Sequence, residues 1–478
     1  MRVGKFQILS EIWRNLRHSD WQSGTNPGLK RKAIRSKKFF MKEGLHMKKL
    51  VSLLLAVLMM MSCFSFASAD EVIELDFWHS WGSGANYEAL CKIVNDFNAA
   101  HEGKIKVTEQ YVGNYAEVLS KVNVGYSANE NPAINVIDAC MTMTHAQNGI
   151  MENLTEYAAK NDPEYDFGTF LPGMLVFSQD DAGIWSLPYS RSTQIMYCNM
   201  DLIRDVMGPD AKAPTCWDEL EAIAAAYKAK YDKPTYSHDI GGGYFAYYVT
   251  SMADGEYFNK AGTGACMDIN DGWKVALTNW RKYIDNGWFM VPSLSTSGQW
   301  AEFKLGNLPI SFASTGSLTG ALKDCQFDLE VCFLPGFKHE DGSIEYRLFT
   351  GGANIMMASN KSDAEKAAAW EFIKYATSAD VNVEHSFATG YVLNHNGLAD
   401  REVVKEKWAA EPSRKVAYDQ LAYVNETYVS IYTAEIDLEV VDALKAFAMD
   451  NLTVEEGYNE LKNIMESIFP DGVVETYE

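Results

Sequence analysis

The chain has few cysteines, and none of them has the spacing of a disulfide framework or a zinc site. Seven of its eight cysteines follow residue 69, and an odd number without a Cys-x-x-Cys pair argues against a disulfide scaffold. We expect most of the seven to be buried free thiols, with a bridge between Cys325 and Cys332 as the alternative. The histidines also lack metal-ligand spacing. No metal or other cofactor is therefore expected.

The sequence also lacks an apolar run long enough to cross a membrane, which takes about twenty residues. The apolar stretch 50–61 follows Lys48 and Lys49 and precedes the small-residue pattern Ala67-Ser68-Ala69. This is the pattern of a secretory signal peptide over residues 47–69. The mature protein is expected to be soluble and exported, to the periplasm or the cell surface.

Two further expectations concern the start of the chain. Residues 1–46 are basic and without periodicity, and we interpret them as a non-native upstream extension that arises from a misplaced start codon. Cleavage after Ala69 is favoured because Ala67-Ser68-Ala69 fits an ordinary signal peptidase. A lipoprotein anchored at Cys63 is the alternative, although the residues before Cys63 make a poor lipobox.

Positive charge is scarce. The whole chain carries 42 Lys and Arg against 64 Asp and Glu, a net charge of −22, and beyond residue 69 the balance is 29 against 61, a net of −32. Such a surface repels nucleic acid and anionic membranes. It does not attract anionic solutes over long range either, which favours a neutral ligand.

No linker or repeat divides the roughly 400 mature residues, yet this length exceeds one hydrophobic core and predicts two domains. The first part reads as βαβ units: a strand at 73–77, a helix, a strand at 105–107, a second helix after Gly113-Asn114-Tyr115 and a strand at 134–137. The first helix repeats apolar residues at helical spacing, namely Leu90, Ile93, Val94 and Phe97. Ligands of open α/β sheets bind at the carboxyl ends of strands, where Trp81, Tyr115 and Asp138 lie.

A long strand is predicted over residues 187–199 (LPYSRSTQIMYCN), followed by a short helix. Next comes Pro214-Thr215-Cys216-Trp217-Asp218-Glu219-Leu220. There Thr215 is expected to cap a helix, whose positive N-terminal end Asp218 and Glu219 would stabilise.

Motifs spread over the whole mature chain occur in one order: FWHS at 77–80, GNY at 113–115, the LPYSRST strand, PTCWDEL at 214–220, GGAN at 351–354 and TGY at 389–391. By this ordered set the chain resembles the extracellular solute-binding proteins that serve ABC importers, in the branch of the glycerol-3-phosphate-binding protein. The resemblance runs from Leu75 to about Pro470.

The resemblance implies an α/β, two-lobed, periplasmic-binding-protein-like fold of type II, a venus flytrap with three crossover segments near Ser190, Thr350 and Asp400. Lobe 1 would comprise residues 70–190 and 350–400. Lobe 2 would comprise residues 191–349 and 401–478. The partners implied are a small solute and the permease subunits of an ABC importer, and we expect a monomer.

The resemblance also places a binding site in the cleft between the lobes. It carries over Tyr115, Ser192, Ser314, Gly352 and Tyr391, to which the strand ends add Trp81 and Asp138. Hydroxyls and backbone N–H groups suit a polyol, and aromatic rings suit its C–H faces. Each residue also has a structural interpretation, such as local hydrogen bonding by the two serines or a tight turn at Gly352.

Two departures from the family bear on the ligand. The phosphate-binding arginine expected between residues 424 and 435 is absent, and the expected cleft tryptophan is replaced by a segment that ends in Tyr244. Arg191 is the candidate replacement for phosphate binding, since a guanidinium is the natural partner of a phosphate.

We therefore expect a receptor for a neutral mono- or oligosaccharide. A receptor for glycerol-3-phosphate or a glycerophosphodiester is the alternative. A secreted glycoside hydrolase with two carboxylates is a third and less favoured hypothesis, so the protein is not expected to be an enzyme. Asp268 to Gly272 is predicted to be a surface turn, because its spacing departs from that of a calcium loop.

Overall fold

The computed structural model describes residues 72–237, 242–253, 255–269, 271–290, 296–424 and 430–477. The predicted upstream extension, the signal peptide and the Cys63 alternative lie outside these ranges.

None of the helices in the described ranges combines the length and the apolar character of a membrane-spanning segment.

The described strands, in chain order, are β1 Ile73–His79, β2 Ile105–Tyr111, β3 Ile134–Asp138, β4 Gln179–Asp180, β5 Gly183–Ile184, β6 Leu187–Asn199, β7 Tyr236–Ser237, β8 Ile310–Ser314, β9 Leu329–Cys332, β10 Phe337–Lys338, β11 Ile344–Glu345 and β12 Thr350–Met357. Eight of them form one sheet in the order β2-β1-β3-β12-β6-β8-β7, with β9 beside β6. The remaining four make two small hairpins.

The helices surround this sheet: α1 Gly84–Ala100, α2 Tyr115–Ala128, α3 Thr142–Gln147, α4 Leu154–Asn161, α5 Pro172–Leu175, α6 Met200–Met207, α7 Trp217–Tyr231, α8 Gly242–Met252, α9 Gly272–Asp285, α10 Thr296–Lys304, α11 Leu318–Asp324, α12 Asp363–Ala376, α13 Ala379–Thr389, α14 Glu402–Ala410, α15 Ser413–Gln420, α16 Thr433–Met449 and α17 Val454–Ile468. Short 3-10 turns occur at Ala139–Met141, Phe167–Thr169, Thr315–Ser317, Leu398–Asp400 and Leu421–Tyr423.

The two βαβ units are confirmed. Strand β1 pairs in parallel with β2 and with β3. Gly103 makes the turn after α1 at a φ of +77°, which glycine adopts without steric cost. All four predicted apolar residues of α1 are buried. Among them, Phe97 meets Phe372 of α12 edge-on, with ring centroids 5.1 Å apart, and truncating such a ring to alanine costs about 3–5 kcal/mol.

Strand β6 connects the two parts of the sheet, with the bounds that the sequence predicts. Residues 187–193 pair antiparallel with β12, whereas residues 194–199 pair with β8 and β9. Nearly every β6 residue is buried, as expected of a strand covered on both faces. The change of partner falls close to the predicted crossing at Ser190, and β12 begins at the predicted crossing Thr350. The lobe boundaries themselves stay a prediction.

Each part of the sheet has its own apolar core. One core packs around β1, β3 and β12 and includes Phe77, Phe97 and Trp370. The other packs against the β8 side, and it is rich in aromatic residues such as Trp217 and Trp280. Three smaller apolar clusters complete the packing of the described residues.

Two expectations about local structure need correction, and one alternative is excluded. The N-cap of α7 is Cys216 rather than Thr215. Both the N–H and the hydroxyl of Thr215 instead donate to the Glu219 carboxylate, at 2.7 and 2.9 Å. All seven described cysteines are free, so the Cys325 to Cys332 bridge is not formed. Fewer thiols are fully buried than expected, since this holds for three of the seven: Cys198, Cys216 and Cys266.

Candidate ligand-binding site

The loop after β1 places Trp81 at the carboxyl end of the strand. Its main-chain N–H donates to His79 Nδ1 at 3.3 Å, and its indole Nε1–H donates to the Tyr391 hydroxyl at 3.1 Å. These two contacts fix both ends of the residue. The residue is half-buried.

Tyr115 is held by the start of α2. The Asn114 side chain accepts from the Glu117 N–H at 3.0 Å, and the Glu117 carboxylate accepts from the Asn114 N–H at 2.8 Å. This reciprocal cap fixes the first helical residue, which is Tyr115. Its ring meets Trp81 edge-on at 6.3 Å. Burial raises the pKa of the Tyr115 phenol well above 10, with smaller contributions from Tyr391 and Asp138.

Tyr391 follows α13 and lies against both of the preceding rings. Its N–H donates to Thr389 Oγ1 at 3.1 Å, and its ring stacks on His385 at 5.5 Å. A Cβ on Gly316 would come within 2.8 Å of the tyrosine ring, so the absence of a side chain there makes room for it. Burial raises the pKa of Tyr391 to about 12.

Four rings thus form one aromatic cluster, which we define as Trp81, Tyr115, Tyr189 and Tyr391. Tyr189 lies 6.0 Å from Trp81, and its buried hydroxyl has no hydrogen-bond partner among the described residues. The cluster combines apolar ring faces with phenol hydroxyls. That combination suits a ligand with both C–H and O–H groups.

Asp138 ends β3 beside this cluster. Its Oδ1 accepts from the Cys140 thiol at 3.2 Å and from the Cys140 N–H at 3.3 Å. Burial raises the pKa of the Asp138 carboxyl, while the Cys140 hydrogen bonds and the charge of Arg191 oppose that rise. With both contacts on Oδ1, the second oxygen, Oδ2, can accept from a ligand hydroxyl.

Arg191 is fully buried in β6, and its terminal nitrogens are engaged within the protein. One donates to Asn354 Oδ1 at 3.1 Å and the other to Thr350 Oγ1 at 2.7 Å. Burial lowers the pKa of Arg191 to about 10, against the opposing charge of Asp138. The Asn354 amide in turn donates to three buried hydroxyls, those of Thr142, Ser178 and Ser186. The guanidinium therefore forms part of a polar network that ties β6 to β12.

The other predicted site residues have mainly local contacts. Ser192 is buried and pairs with Gly351 across the sheet. The Ser314 hydroxyl accepts from the Gly316 N–H at 3.1 Å, at the start of a 3-10 turn. Gly352 has a φ of +84°, and a Cβ there would lie 2.2 Å from the Ser190 carbonyl oxygen. The Tyr244 side chain lies outside the described residues.

The structure adds residues that sequence reasoning did not single out. Tyr189 belongs to the predicted strand, but its place in the cluster depends on how β6 packs against distant segments. Asn86, near the start of α1, donates to the Gly316 carbonyl at 3.3 Å and to the Tyr391 hydroxyl at 3.4 Å. For His79, which accepts the Trp81 main-chain N–H, the sequence signal was the position of the FWHS motif at the end of a strand.

Side-chain hydrogen bonds join elements from the two parts of the sheet. Asn86 of α1 reaches Gly316, which follows β8. On another side, Thr144 Oγ1 of α3 donates to the Ile431 carbonyl before α16 at 2.8 Å. The aromatic cluster and Asp138 therefore lie in a region bounded by both parts.

Within the described ranges no group of three or more His, Cys, Asp or Glu side chains is placed to hold a metal ion. Asp268, in the predicted surface turn, accepts instead from Tyr458 at 2.5 Å and pairs with Lys462 at 2.6 Å.

Comparison with known proteins identifies the family. Residues 92–412 match the model of the bacterial extracellular solute-binding proteins. The chain belongs to this family. Among curated relatives of this solute-binding protein, the sn-glycerol-3-phosphate-binding periplasmic protein UgpB of Brucella melitensis is 25% identical over 330 residues, which cover 67% of the chain and 74% of the relative.

Solved structures give the fold. UgpB from Mycobacterium tuberculosis, in complex with glycerophosphocholine, has a TM-score of 0.69 at 20% identity and covers 83% of the chain and 98% of its own length. An ABC substrate-binding protein from Listeria monocytogenes, in complex with cycloalternan, has a TM-score of 0.71 at 19% identity, with coverages of 83% and 99%. The solute-binding protein thus has the two-lobed α/β fold that the resemblance implied.

Proposed function

We propose that the protein binds a neutral mono- or oligosaccharide in the cleft and delivers it to the permease subunits of an ABC importer. The aromatic cluster is the observation that carries this proposal. Its ring faces can pack against the C–H surface of a sugar, while the hydroxyls of Tyr115 and Tyr189 can exchange hydrogen bonds with sugar hydroxyls.

The charges near the cluster favour a neutral ligand. Asp138 places a carboxylate at the end of β3, which would repel a phosphate and accept from sugar hydroxyls. Arg191, the cation beside it, already donates to Asn354 and Thr350. A phosphate bound through the terminal nitrogens of Arg191 would compete with these buried contacts, and an unpaired buried donor or acceptor costs about 1–3 kcal/mol. The buried Nε–H of Arg191 has no partner among the described residues and could contact a phosphate without that cost.

The alternative is a receptor for glycerol-3-phosphate or a glycerophosphodiester. The names of the curated relatives and the glycerophosphocholine complex of the M. tuberculosis protein favour it. Against it, residues 424–435 carry no Arg or Lys, so the segment that should supply the family's phosphate-binding arginine offers no cation.

The remaining features of the proposal follow from the family and the sequence. We propose that residues 47–69 direct export, that the mature protein is released after Ala69 rather than anchored at Cys63, and that it acts as a monomer without enzymatic activity. Lobe 1 would comprise residues 70–190 and 350–400, with lobe 2 formed by 191–349 and 401–478.

Calorimetry on the mature chain, residues 70–478, tests the ligand class. The panel is maltose, maltotriose, cycloalternan, sn-glycerol-3-phosphate and glycerophosphocholine. We expect a neutral saccharide to bind, with an affinity that salt barely alters because no charge pair is formed. Micromolar binding of sn-glycerol-3-phosphate that is lost in a folded Arg191→Lys variant would show that Arg191 holds a phosphate and that the proposal is wrong.

Truncation of the cluster tests the site. Tyr115→Ala and Tyr391→Ala should each weaken binding of the saccharide identified by calorimetry by roughly 1–3 kcal/mol through lost apolar contact. Tyr231→Ala, on the exposed surface of α7, is the matched control and should bind as the parent does. Normal affinity in the folded cluster variants would mean that these tyrosines are structural.

A further inference from the structure

His79 lies between the cluster and the half-buried carboxylate of Glu109. It is the last residue of β1 and is fully buried. Its Nδ1 accepts the Trp81 main-chain N–H at 3.3 Å, so the ring proton must sit on Nε2. Nε2–H then donates to Glu109 Oε2 of β2 at 2.6 Å. A neutral imidazole with this one tautomer satisfies both neighbours.

The groups that face His79 come from its own strand, from β2 and from α1. Glu109 of β2 also accepts from the Tyr87 hydroxyl at 3.0 Å and, more distantly, from the Cys91 thiol at 3.9 Å. The Tyr111 ring of β2 lies 6.4 Å away. Glu109 is the acidic partner among these contacts. The hydrogen bonds of Tyr87 with Cys91 and Glu109 raise the pKa of the Tyr87 phenol to about 12, and burial raises the pKa of the Cys91 thiol.

On the Trp81 side, the imidazole supports the residue in two ways. It accepts the main-chain N–H, and its ring stacks beside the indole at 6.2 Å with an angle of 18° between the planes. The loop after β1 is thus held where it leaves the strand. The position of the Trp81 indole, and through it the contact with Tyr391, depends on a free lone pair at Nδ1.

We propose that His79 is a positioning residue for Trp81, whose neutral imidazole holds the loop after β1 and whose protonation releases it, so that solute affinity falls at low pH. The predicted effect on solute affinity rests on the proposed function, whereas the contact between His79 and Trp81 does not. A proton on Nδ1 converts the acceptor into a donor that faces the Trp81 N–H, and the hydrogen bond is lost.

The direction of the pH dependence follows from the surroundings of the ring. Burial lowers the pKa of His79 from 6.5, while the hydrogen bond and the charge of Glu109 oppose that change. The neutral form therefore predominates at pH 7 and above. Release of the loop is expected below pH 6.5.

Two substitutions at His79 test the roles of the two ring nitrogens separately. In His79→Asn the amide oxygen takes the place of Nδ1 and can accept from Trp81, without a group that titrates. In His79→Gln the longer side chain reaches toward Glu109 and leaves Trp81 without its acceptor. Glu109→Gln removes the carboxylate that favours protonation, so in that variant the titration of His79 should move to lower pH.

The main measurement needs no ligand. The mature protein is labelled with [15N]tryptophan, the Trp81 main-chain amide is assigned with Trp81→Phe, and its resonance is followed from pH 8 to pH 4.5. We expect one transition below pH 6.5 in the parent, a shift to lower pH in Glu109→Gln, and none in His79→Asn. His79→Gln should give the released position at every pH. A Trp81 amide that is unaffected by pH in the parent, or that titrates unchanged in His79→Asn, would overturn the proposal.

A second experiment measures solute affinity and tests whether the contact between His79 and Trp81 affects it. Maltotriose is the first probe, followed by the other saccharides of the panel. The affinity of the parent should fall about five- to tenfold from pH 8 to pH 5, the usual effect of one lost hydrogen bond, and that of His79→Asn should stay constant. If no saccharide binds at any pH while the Trp81 amide titrates as expected, the proposed function fails and the role of His79 stands. Equal pH dependence of affinity in both proteins would refute the link to binding.

Discussion

At the scale of single residues, several buried polar groups are placed where they cannot easily become charged. His145 of α3 is fully buried, and neither ring nitrogen has a hydrogen-bond partner among the described residues. His385 is buried against Tyr189 and Tyr391. Burial lowers the pKa of each to about 4. Both are therefore neutral in the folded protein at pH values where they are charged in the unfolded chain.

This difference predicts how stability depends on pH. Between pH 6.5 and pH 4 the unfolded chain binds protons at His145 and His385 that the folded protein does not, so the free energy of unfolding falls as the pH falls. Each histidine contributes roughly 2–4 kcal/mol to that loss. Urea denaturation at pH 7 and pH 4.5 measures it, and His145→Leu should show a smaller loss than the parent. An equal loss of unfolding free energy in both proteins would mean that the His145 side chain is in contact with water in the folded protein.

At the scale of elements, the pairing of β6 with β12 explains the second glycine of the GGAN motif. The register between the two strands shifts between Ala353 and Asn354, and Gly352 next to this bulge adopts a left-handed φ of +84°. The strand approaches β6 so closely there that the Ser190 carbonyl and the Ser192 N–H occupy the space of a side chain. The backbone requires glycine at this position.

Substitution of Gly352 should therefore destabilise the fold. Gly352→Ala places a Cβ against the β6 backbone and in a left-handed conformation, and the expected cost exceeds about 2 kcal/mol. Gly320→Ala in α11 is the matched control, because no atom lies within 4 Å of its added Cβ and alanine is favoured in a helix by about 0.5–1 kcal/mol. Thermal unfolding should show opposite signs for the two variants. A stable Gly352→Ala would contradict the observed β6 and β12 geometry.

At the scale of the whole molecule, the two parts of the sheet share β6, and helices packed on one part contact segments of the other. Asn86 contacts the Gly316 carbonyl and Thr144 contacts the Ile431 carbonyl. Contacts of this kind, made between lobes around a site, can stabilise a closed state that a ligand favours by touching both lobes.

Closure predicts a change of size in solution. Small-angle scattering of the mature chain should give a smaller radius of gyration when the saccharide identified by calorimetry is added, because the bound ligand adds contacts that exist only in the closed state. Tyr391→Ala, measured at the same saccharide concentration, should change less because less ligand is bound. An unchanged radius at proven saturation would exclude hinge closure as the mechanism.

The sequence by itself determined the elements whose signals are local. Apolar spacing predicted α1, and the turn at Gly103 and the strands on either side of it follow the expected order. The bounds of β6 were also predicted, because the strand-like alternation of residues 187–199 ends where the next helix begins. Such features depend on residues a few positions apart, and the ordered motifs were enough to indicate the family and hence the two-lobed fold.

The tertiary structure alone decided which side chains meet. Trp81 and Tyr391 are 310 positions apart, yet they share a hydrogen bond. Sequence placed Ser314 in the cleft but could not show that its hydroxyl is engaged by Gly316, or that Arg191 is held by Thr350 and Asn354. The partners of a polar group depend on the packing of distant segments, because burial and close approach, rather than local spacing, decide which donors and acceptors lie within reach.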